Sequence, residues 1–470
     1  MKIYNDETRK KEEFTPLEDG AIRMYVCGPT VYNYIHIGNA RPLIVFDALR
    51  CYLEYKGYKV TFVQNFTDID DKMINRAAAE KTTVKALAGK YIGEYFVDSK
   101  GLGVREATIH PKATENMEAI IALIKTLVDK GYAYAADGDV YFRTNRFKDY
   151  GKLSHMPIED LEAGIRVEPG EHKENPMDFA LWKAYKEGEP FWESPWGNGR
   201  PGWHIECSAM ANKYLGKTID IHGGGQDLTF PHHENEIAQS EAANDAIFSR
   251  YWVHNAYINV DNRKMSKSLG NFFTVREIAE KYGYEPIRFF MLSAHYRSPV
   301  NFSAETLEQS KAALDRLYNC LNNIEFLLKN AKDEEMSNLE KAAMEKLVGY
   351  EKNYMASLDD DFNTADAIAA LFDITREINS AANTENKPSK EFLDSAKTLF
   401  NKLCGILNLC QNQADKSVDD EVKALIEKRQ AARASRDFKT ADAIRDELAA
   451  KGIMLEDTPQ GVKVTMIKKD

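Results

Sequence analysis

The sequence predicts an α/β chain: a Rossmann-type parallel-sheet domain carrying an insertion, followed by an α-helical bundle and a small C-terminal α+β domain. Strand, glycine turn and helix recur in the same order at residues 22–65 and 218–243, the pattern of a doubly wound parallel sheet. After Ser303 glycine and proline become scarce, and apolar residues recur at helical spacing. Beyond Gly452 the pattern switches to the alternation of a hairpin.

In chain order, residues 22–27 read as a strand, Cys27-Gly28-Pro29 as a glycine turn, about 41–56 as a helix stopped by Gly57, and 60–63 as the next strand. This βαβ unit places the first half of the sheet domain in residues 1–110. Residues 111–195 differ in character, with one helix near 115–130, a short strand pair and a loop rich in glycine, proline and charge; they read as an insertion. The second half spans 196–245, where Gly223-Gly224-Gly225 is expected to loop between the strand Ile219-Asp220-Ile221 and a helix starting near Pro231. Residues 246–302 form a following region. The bundle, 303–417, rests on Leu307, Leu314, Leu317, Leu321, Ile324 and Leu328 and reaches about Leu409. Residues 418–470 complete the chain with a helix C-capped by Gly452 and a hairpin around Thr458-Pro459-Gln460-Gly461.

A chain of 470 residues with 43% hydrophobic content has room for several domains and a sizeable core. The first fifteen residues are mostly charged and polar, unlike a signal peptide, and no apolar run is long enough to cross a bilayer, so a cytoplasmic protein without a membrane partner is expected. Six irregularly spaced cysteines do not form a disulfide framework and read as free thiols or metal ligands. The net charge of −11 argues against a nucleic-acid partner on average, but it is unevenly placed. Residues 421–470 hold 11 Lys plus Arg against 9 Asp plus Glu, a net of +2, which leaves −13 for the rest. By charge alone that tail is the best candidate for an RNA contact, against the commoner meaning of a solvated helix face.

Two motifs carry the chemistry of a nucleotide. His36-Ile37-Gly38-Asn39 follows the first strand and opens a helix, so the imidazole and free helix N–H groups would meet a phosphate together. Lys264-Met265-Ser266-Lys267-Ser268 puts two ammonium groups beside two hydroxyls in a stretch with little regular pattern, which suits a mobile clamp on pyrophosphate. Together they point to ATP activation of a carboxylic acid. Gly225 and Asp227, in the second glycine segment, would admit the nucleotide and reach its ribose hydroxyls, although a glycine run is more often simply a turn. Asp68, Asp70 and Asp71 could orient a substrate amine or Mg²⁺; an acidic helix start is the plainer reading.

A third group offers a metal site, against the plainer reading of a polar helix start and two small buried cysteines. In Pro231-His232-His233-Glu234-Asn235-Glu236, four-residue spacing puts His232 and Glu236 on one helix face, while His233 and Glu236 are three apart and could also share one. Spacing does not choose between the histidines. Cys27 ends the first strand and Cys207 lies in Gly202-Trp203-His204-Ile205-Glu206-Cys207, so two thiols converge on the same sheet edge. A tetrahedral set of two thiolates, an imidazole and a carboxylate suits zinc better than magnesium or calcium.

These residues stand in segments that closely resemble the cysteinyl-tRNA synthetases, class I aminoacyl-tRNA synthetases: CGPTVYNYIHIGNAR at 27–41, QNFTDIDDK at 64–72, SPWGNGRPGWHIECSAM at 194–210, DIHGGGQDLTFPHHENEIAQ at 220–239, KMSKSLGNF at 264–272 and RDFKTADAIRDELAAKGIMLEDTPQG near the end. The resemblance runs through essentially the whole chain. It implies a catalytic domain broken by a connective insertion, a stem-contact region at 246–302 and an anticodon-binding domain at 418–470. It implies one Zn²⁺ per subunit on Cys27, Cys207, His232 and Glu236, which selects cysteine, and Mg²⁺ with ATP. Catalytic roles would fall to His36, Asn39, Lys264 and Lys267, with ATP also meeting Gly225 and Asp227. Gly28, Thr67, Trp203 and His222 match family positions around the bound cysteine. The partners implied are ATP, L-cysteine and tRNA(Cys), and a monomer is expected.

Three departures from the family pattern stand out. Asn39 replaces the final histidine of the first motif, keeping a hydrogen-bond donor without charge. Lys72-Met73-Ile74-Asn75 lacks the second lysine of a segment linked in some members to a persulfide side activity, and the chain end lacks the family's Trp-Arg. Other readings are a cysteine ligase of thiol-cofactor biosynthesis, which resembles the same catalytic half, and a noncatalytic zinc and nucleotide module that binds RNA.

Overall fold

A computed structural model describes residues 1–155, 172–261, 263–264, 273–329, 331–382, 388–411, 420–450, 453–458 and 461–466. They divide into two compact units, 1–308 with 357–365, and 309–356 with 366–470.

The first unit opens with an antiparallel pair, β1 (Lys2–Asn5) and β2 (Lys10–Glu13), followed by β3 (Ala21–Val26), α1 (Ile37–Tyr55) and β4 (Lys59–Gln64). Helices α2 (Asp71–Ala79), α3 (Val84–Gly101) and α4 (Met117–Asp129) come next. An antiparallel sheet then forms from β5 (Ala133–Ala136), β6 (Asp139–Phe142), β7 (Phe179–Ala184) and β8 (Gly199–Pro201). The chain returns through α5 (Ile205–Leu215), β9 (Ile219–Gly225), α6 (Glu234–Asn244) and β10 (Ser249–Asn255). It ends in β11 (Ile258–Val260), β12 (Arg263–Lys264), α7 (Val275–Tyr282), α8 (Tyr284–Leu292) and β13 (Val300–Phe302).

The central sheet has the order β10-β9-β3-β4, all parallel. Strands buried on both faces need near-continuous apolar runs, and Ile22, Met24, Tyr25 and Val26 of β3 supply one. Register pairs Val26 with Gln64 on one side and with Gly223 on the other, so β3 and β4 end level at one carboxyl edge, where Cys27 and Asn65 leave the sheet, and β9 runs on to Gly225 beside β10. That edge is where ligands bind in open parallel sheets.

The structure corrects the reading of the glycine run as a loop. Gly223-Gly224-Gly225 lies inside β9. A Cβ on Gly223 would come within 2.3 Å of the Phe46 ring on α1, so glycine is there to let helix and strand close. The helix expected near Pro231 begins three residues later, because 229–233 is a wide irregular turn with Phe230 extended. The insertion is richer in strands than its sequence suggests: the strand pair expected there belongs to a four-stranded sheet whose core includes Leu181 and Trp182.

The helical part of the second unit comes from α9 (Ala304–Leu328), α10 (Asn338–Asp359) and α11 (Thr364–Ala381), of which the first turn of α9, the end of α10 and the first two residues of α11 fall in the first unit, and from α12 (Lys390–Ile406). Leu314, Leu317, Leu321 and Ile324 are buried as the periodicity requires. Helices α13 (Asp420–Ala434) and α14 (Phe438–Ala450) precede the hairpin β14 (Ile453–Thr458) and β15 (Gly461–Met466), paired from Ile453–Met466 to Thr458–Gly461. Val422, Ile444, Leu448 and Ile453 form a small core there. Among the described residues no helix is long and apolar enough to cross a membrane.

Candidate metal centre and nucleotide cleft

Four elements deliver the metal candidates to one point. Cys27 follows β3, Cys207 sits in the first turn of α5, His232 lies in the irregular turn and Glu236 in the first turn of α6. Their ligand atoms all lie within 4.8 Å of one another. Cys27 Sγ is 3.2 Å from Glu236 Oε1 and 3.4 Å from His232 Nε2, which is itself 2.9 Å from Glu236 Oε1. Two sulfurs, a nitrogen and a carboxylate oxygen at this spacing fit a tetrahedral zinc site. Other side chains orient them: His204 Nδ1 meets His232 Nδ1 at 2.8 Å, and His222 Nε2 meets Glu236 Oε2 at 2.9 Å. Such outer contacts fix ring and carboxylate directions in metal sites.

A second group, Cys27, His222, His233 and Glu236, meets the same distance limit. Its two histidines are fully buried and engaged elsewhere. His222 stacks on Trp252 at 4.5 Å, and His233 Nδ1 lies 2.7 Å from His254 Nε2. Cys27, Cys207 and His232, in contrast, line the cleft at the carboxyl edge of the sheet. The set that can reach a bound molecule is therefore the one containing His232.

The electrostatics of the set are those of donors that share protons: burial, with Cys207 and Glu236 beside it, keeps the Cys27 thiol well above its ordinary value. Burial alone would raise the Glu236 carboxyl, but His222 and His232 hold it well below the usual carboxylate range. Burial works against His232 as well, yet Glu236 and Cys207 bring it up to about 10. Burial raises Cys207, and hydrogen bonding with Cys27 and His232 outweighs it, to about 7. A dication would take the place of the proton that these groups share.

The cleft has a volume of roughly 730 Å³. Beside the cysteines, Gly28 packs so tightly that a Cβ there would meet the Asn65 carbonyl at 1.6 Å, and its N–H donates to Asn65 Oδ1 at 2.9 Å. Thr67 donates to the buried Glu206 at 2.8 Å. Trp203 is 45% exposed, with its ring centroid 4.8 Å from that of His232. Gly28, Thr67 and Trp203 thus share the cleft with the metal candidates. His222 does not line it: it stands behind Glu236 and bonds to it.

Along the same cleft, His36 caps α1, and its backbone N–H donates to Asn39 Oδ1 at 3.2 Å. Gly225 and Asp227 line the cleft with them, as do Tyr257 and Asn259. Lys264 is described only as the end of β12, and Lys267, with the rest of 265–272, lies outside the described residues. Of the acidic cluster, Asp70 and Asp71 stand at a helix start, while Asp68 is bonded elsewhere. Asp70 accepts from Met73 N at the start of α2, Asp68 accepts from Thr114, and Asp71 pairs with Lys183 and Arg200. Sequence reasoning missed Asn65, His204 and Glu206; their one signal is adjacency to Cys207 or Thr67 along the chain.

Residues 13–312 match the family of class I (C) tRNA synthetase catalytic domains, 353–411 the DALR domain and 415–464 the cysteinyl-tRNA ligase anticodon binding domain. The chain is 58% identical over 463 residues to a cysteine–tRNA ligase of Clostridioides difficile (strain 630), covering 98% of this chain and 99% of the other. It is 59% identical over 471 residues to the cysteine–tRNA ligase of Caldicellulosiruptor saccharolyticus, covering 100% of both. Among solved structures it is similar to Mycobacterium tuberculosis methionyl-tRNA synthetase in complex with methionyl-adenylate, with a TM-score of 0.62 at 16% identity over 82% of this chain and 89% of the other. The Agrobacterium radiobacter K84 agnB2 LeuRS-tRNA-LeuAMS complex gives 0.61 at 13% identity over 84% and 85%. At such identities the two structures speak for the fold.

Proposed function

Given that this chain belongs to the cysteine–tRNA ligases among the class I aminoacyl-tRNA synthetases, we propose how its residues divide the reaction. The enzyme joins cysteine to tRNA(Cys) at the expense of ATP. The observation that carries the assignment is that Cys27, Cys207 and His232, whose ligand atoms meet that of the buried Glu236, line the same cleft as His36 and Asn39.

Cysteine enters with its side chain toward the four donors and its amine near Gly28 and Thr67, under Trp203. Cys27, Cys207, His232 and Glu236 would hold Zn²⁺, which when bound would supply a soft acceptor for the substrate thiolate that the harder, less acidic hydroxyl of serine would not satisfy. His222 and His204 act through Glu236 and His232, as orienting groups. A contact only the right substrate makes discriminates by roughly 10⁴ or more, so no editing site is required.

The cysteine carboxylate oxygen then attacks the α-phosphorus of ATP, and the bond to the β-phosphate oxygen breaks. His36 and Asn39 bind the triphosphate at the N-terminus of α1, Gly225 and Asp227 hold the nucleoside, and Lys264 and Lys267 offset charge on departing pyrophosphate, with Mg²⁺ accompanying ATP. A ribose hydroxyl of the tRNA terminus, the 2′ one in this class, next attacks the adenylate carbonyl, releasing AMP. Residues 246–302 would support the tRNA stem, 303–417 the helical bundle and 418–470 the anticodon contact, by contacts to unpaired bases. A cytoplasmic monomer completes the proposal.

The test is cysteine-dependent exchange of pyrophosphate into ATP, with serine as competitor, followed by charging of tRNA. Absence of exchange refutes the activation chemistry, and exchange without charging would leave a ligase for another amine. The match of 415–464 to an anticodon-binding domain speaks against that second outcome.

A further inference from the structure

Arg41 on α1 is fully buried, and its guanidinium donates only to backbone carbonyls: Ala256 at 2.7 Å, Tyr257 at 2.9 Å, His295 at 3.3 Å and Ser298 at 2.5 Å. Among the described residues no carboxylate pairs with it. Burying an uncompensated cation is costly, so the geometry it imposes is its one visible return. Its charge survives because arginine stays protonated even where burial brings it down to about 10.

The four acceptors are informative. Ala256 and Tyr257 join β10 to β11, the strand paired with β12, which ends at Lys264; Tyr257 also lines the cleft. His295 and Ser298 form the turn before β13, the other partner of β11. One fork on the helix capped by His36 thus grips the two backbone segments that lead into the β11 sheet. A second tie, made of backbone, joins the same helix start to the far end of the segment: Ile37 N–H donates to Phe273 O at 3.1 Å, and Val275 N–H to Ile35 O at 2.9 Å. Residues on both sides of 265–272 are therefore referenced to α1.

We infer that Arg41 is a positioning residue for adenylate formation, fixing the cleft wall at Ala256–Tyr257 and the strand pair ending at Lys264 against His36 and Asn39. This rests on the reading of that cleft as the ATP site. Lysine cannot replace the planar fork that reaches four carbonyls from one group.

The test uses the full zinc-loaded chain with Arg41→Met, Arg41→Lys and Arg41→Ala, and His36→Ala as a reference for the ATP site. In pyrophosphate exchange, kcat of Arg41→Met should fall roughly 100-fold, as misplacement of reacting groups by about 1 Å can. Cysteine affinity and zinc content should stay near wild type, because neither depends on α1 meeting β11. Arg41→Lys should recover only part of the rate, and guanidinium ion, not ammonium, should rescue Arg41→Ala. Unchanged kcat in a folded Arg41→Met, equal loss of kcat and cysteine affinity, or failure of both Arg41→Met and Arg41→Lys to fold each overturns the positioning role. Full activity in His36→Ala would instead overturn the ATP-site reading itself.

Discussion

At the scale of single residues, the site depends on contacts that tolerate little change. Cys207→Ser should remove zinc from the protein and abolish cysteine activation; zinc content by atomic absorption and pyrophosphate exchange check both. His204→Ala leaves the four donors in place but frees the His232 ring, and a loss of roughly 10- to 100-fold in zinc affinity is expected, read by chelator competition. Gly28→Ala should weaken cysteine binding severely while zinc is retained, since the new methyl would collide with the Asn65 backbone rather than with a ligand. Equilibrium dialysis with labelled cysteine would show it; undiminished binding would mean the loop can move aside. The ligand types were readable in the sequence because Cys27, Cys207 and Glu236 sit in distinctive local segments. His222 was not, because nothing in its segment says that its ring faces Glu236 rather than the cleft.

At the scale of elements, caps and sheet edges decide what the site stands on. Asp70 caps α2 through Met73 N–H, so Asp70→Ala should cost about 1 kcal/mol of stability, measured by denaturant unfolding. In the helical unit, burial would raise the Glu340 carboxyl, but the N–H groups of Ser389 and Ser337 outweigh it and hold it below its ordinary value. A depressed folded pKa means stability that is complete above the unfolded value and lost as pH falls through the folded one. The thermal midpoint of that unit should therefore drop on acidification below about pH 4.5, and Glu340→Gln should remove that part of the pH dependence. The βαβ unit and the hairpin were legible because their periodicities of 3.6 and 2 are long or flanked by turns. Strands β7 and β8 were not, since runs of a few residues in a glycine- and proline-rich stretch carry too little pattern. The glycine run misled for a different reason: its role is close approach to Phe46, and sequence writes that the same way as a turn.

At the scale of the whole molecule, charge is divided along the chain, +2 for residues 421–470 against −13 before them. Binding of a polyanion should therefore be strongly salt-dependent, whereas cysteine, held by short-range donors, should not be. Raising salt from about 50 to 200 mM should weaken tRNA affinity by roughly tenfold or more while leaving the KM for cysteine in exchange almost unchanged. Filter binding and exchange kinetics on the same samples would separate the two. The sequence by itself showed the residue types that ATP activation and a soft metal set call for, because those functions need particular residues in short distinctive segments. Only the tertiary structure decided how they meet: which histidine shares the cleft with Cys207, that His222 stands behind Glu236, and that Arg41 grips the wall leading to Lys264. Helical spacing allowed either histidine, and the direction of each side chain was set by the irregular turn before α6 and by partners up to 205 residues away.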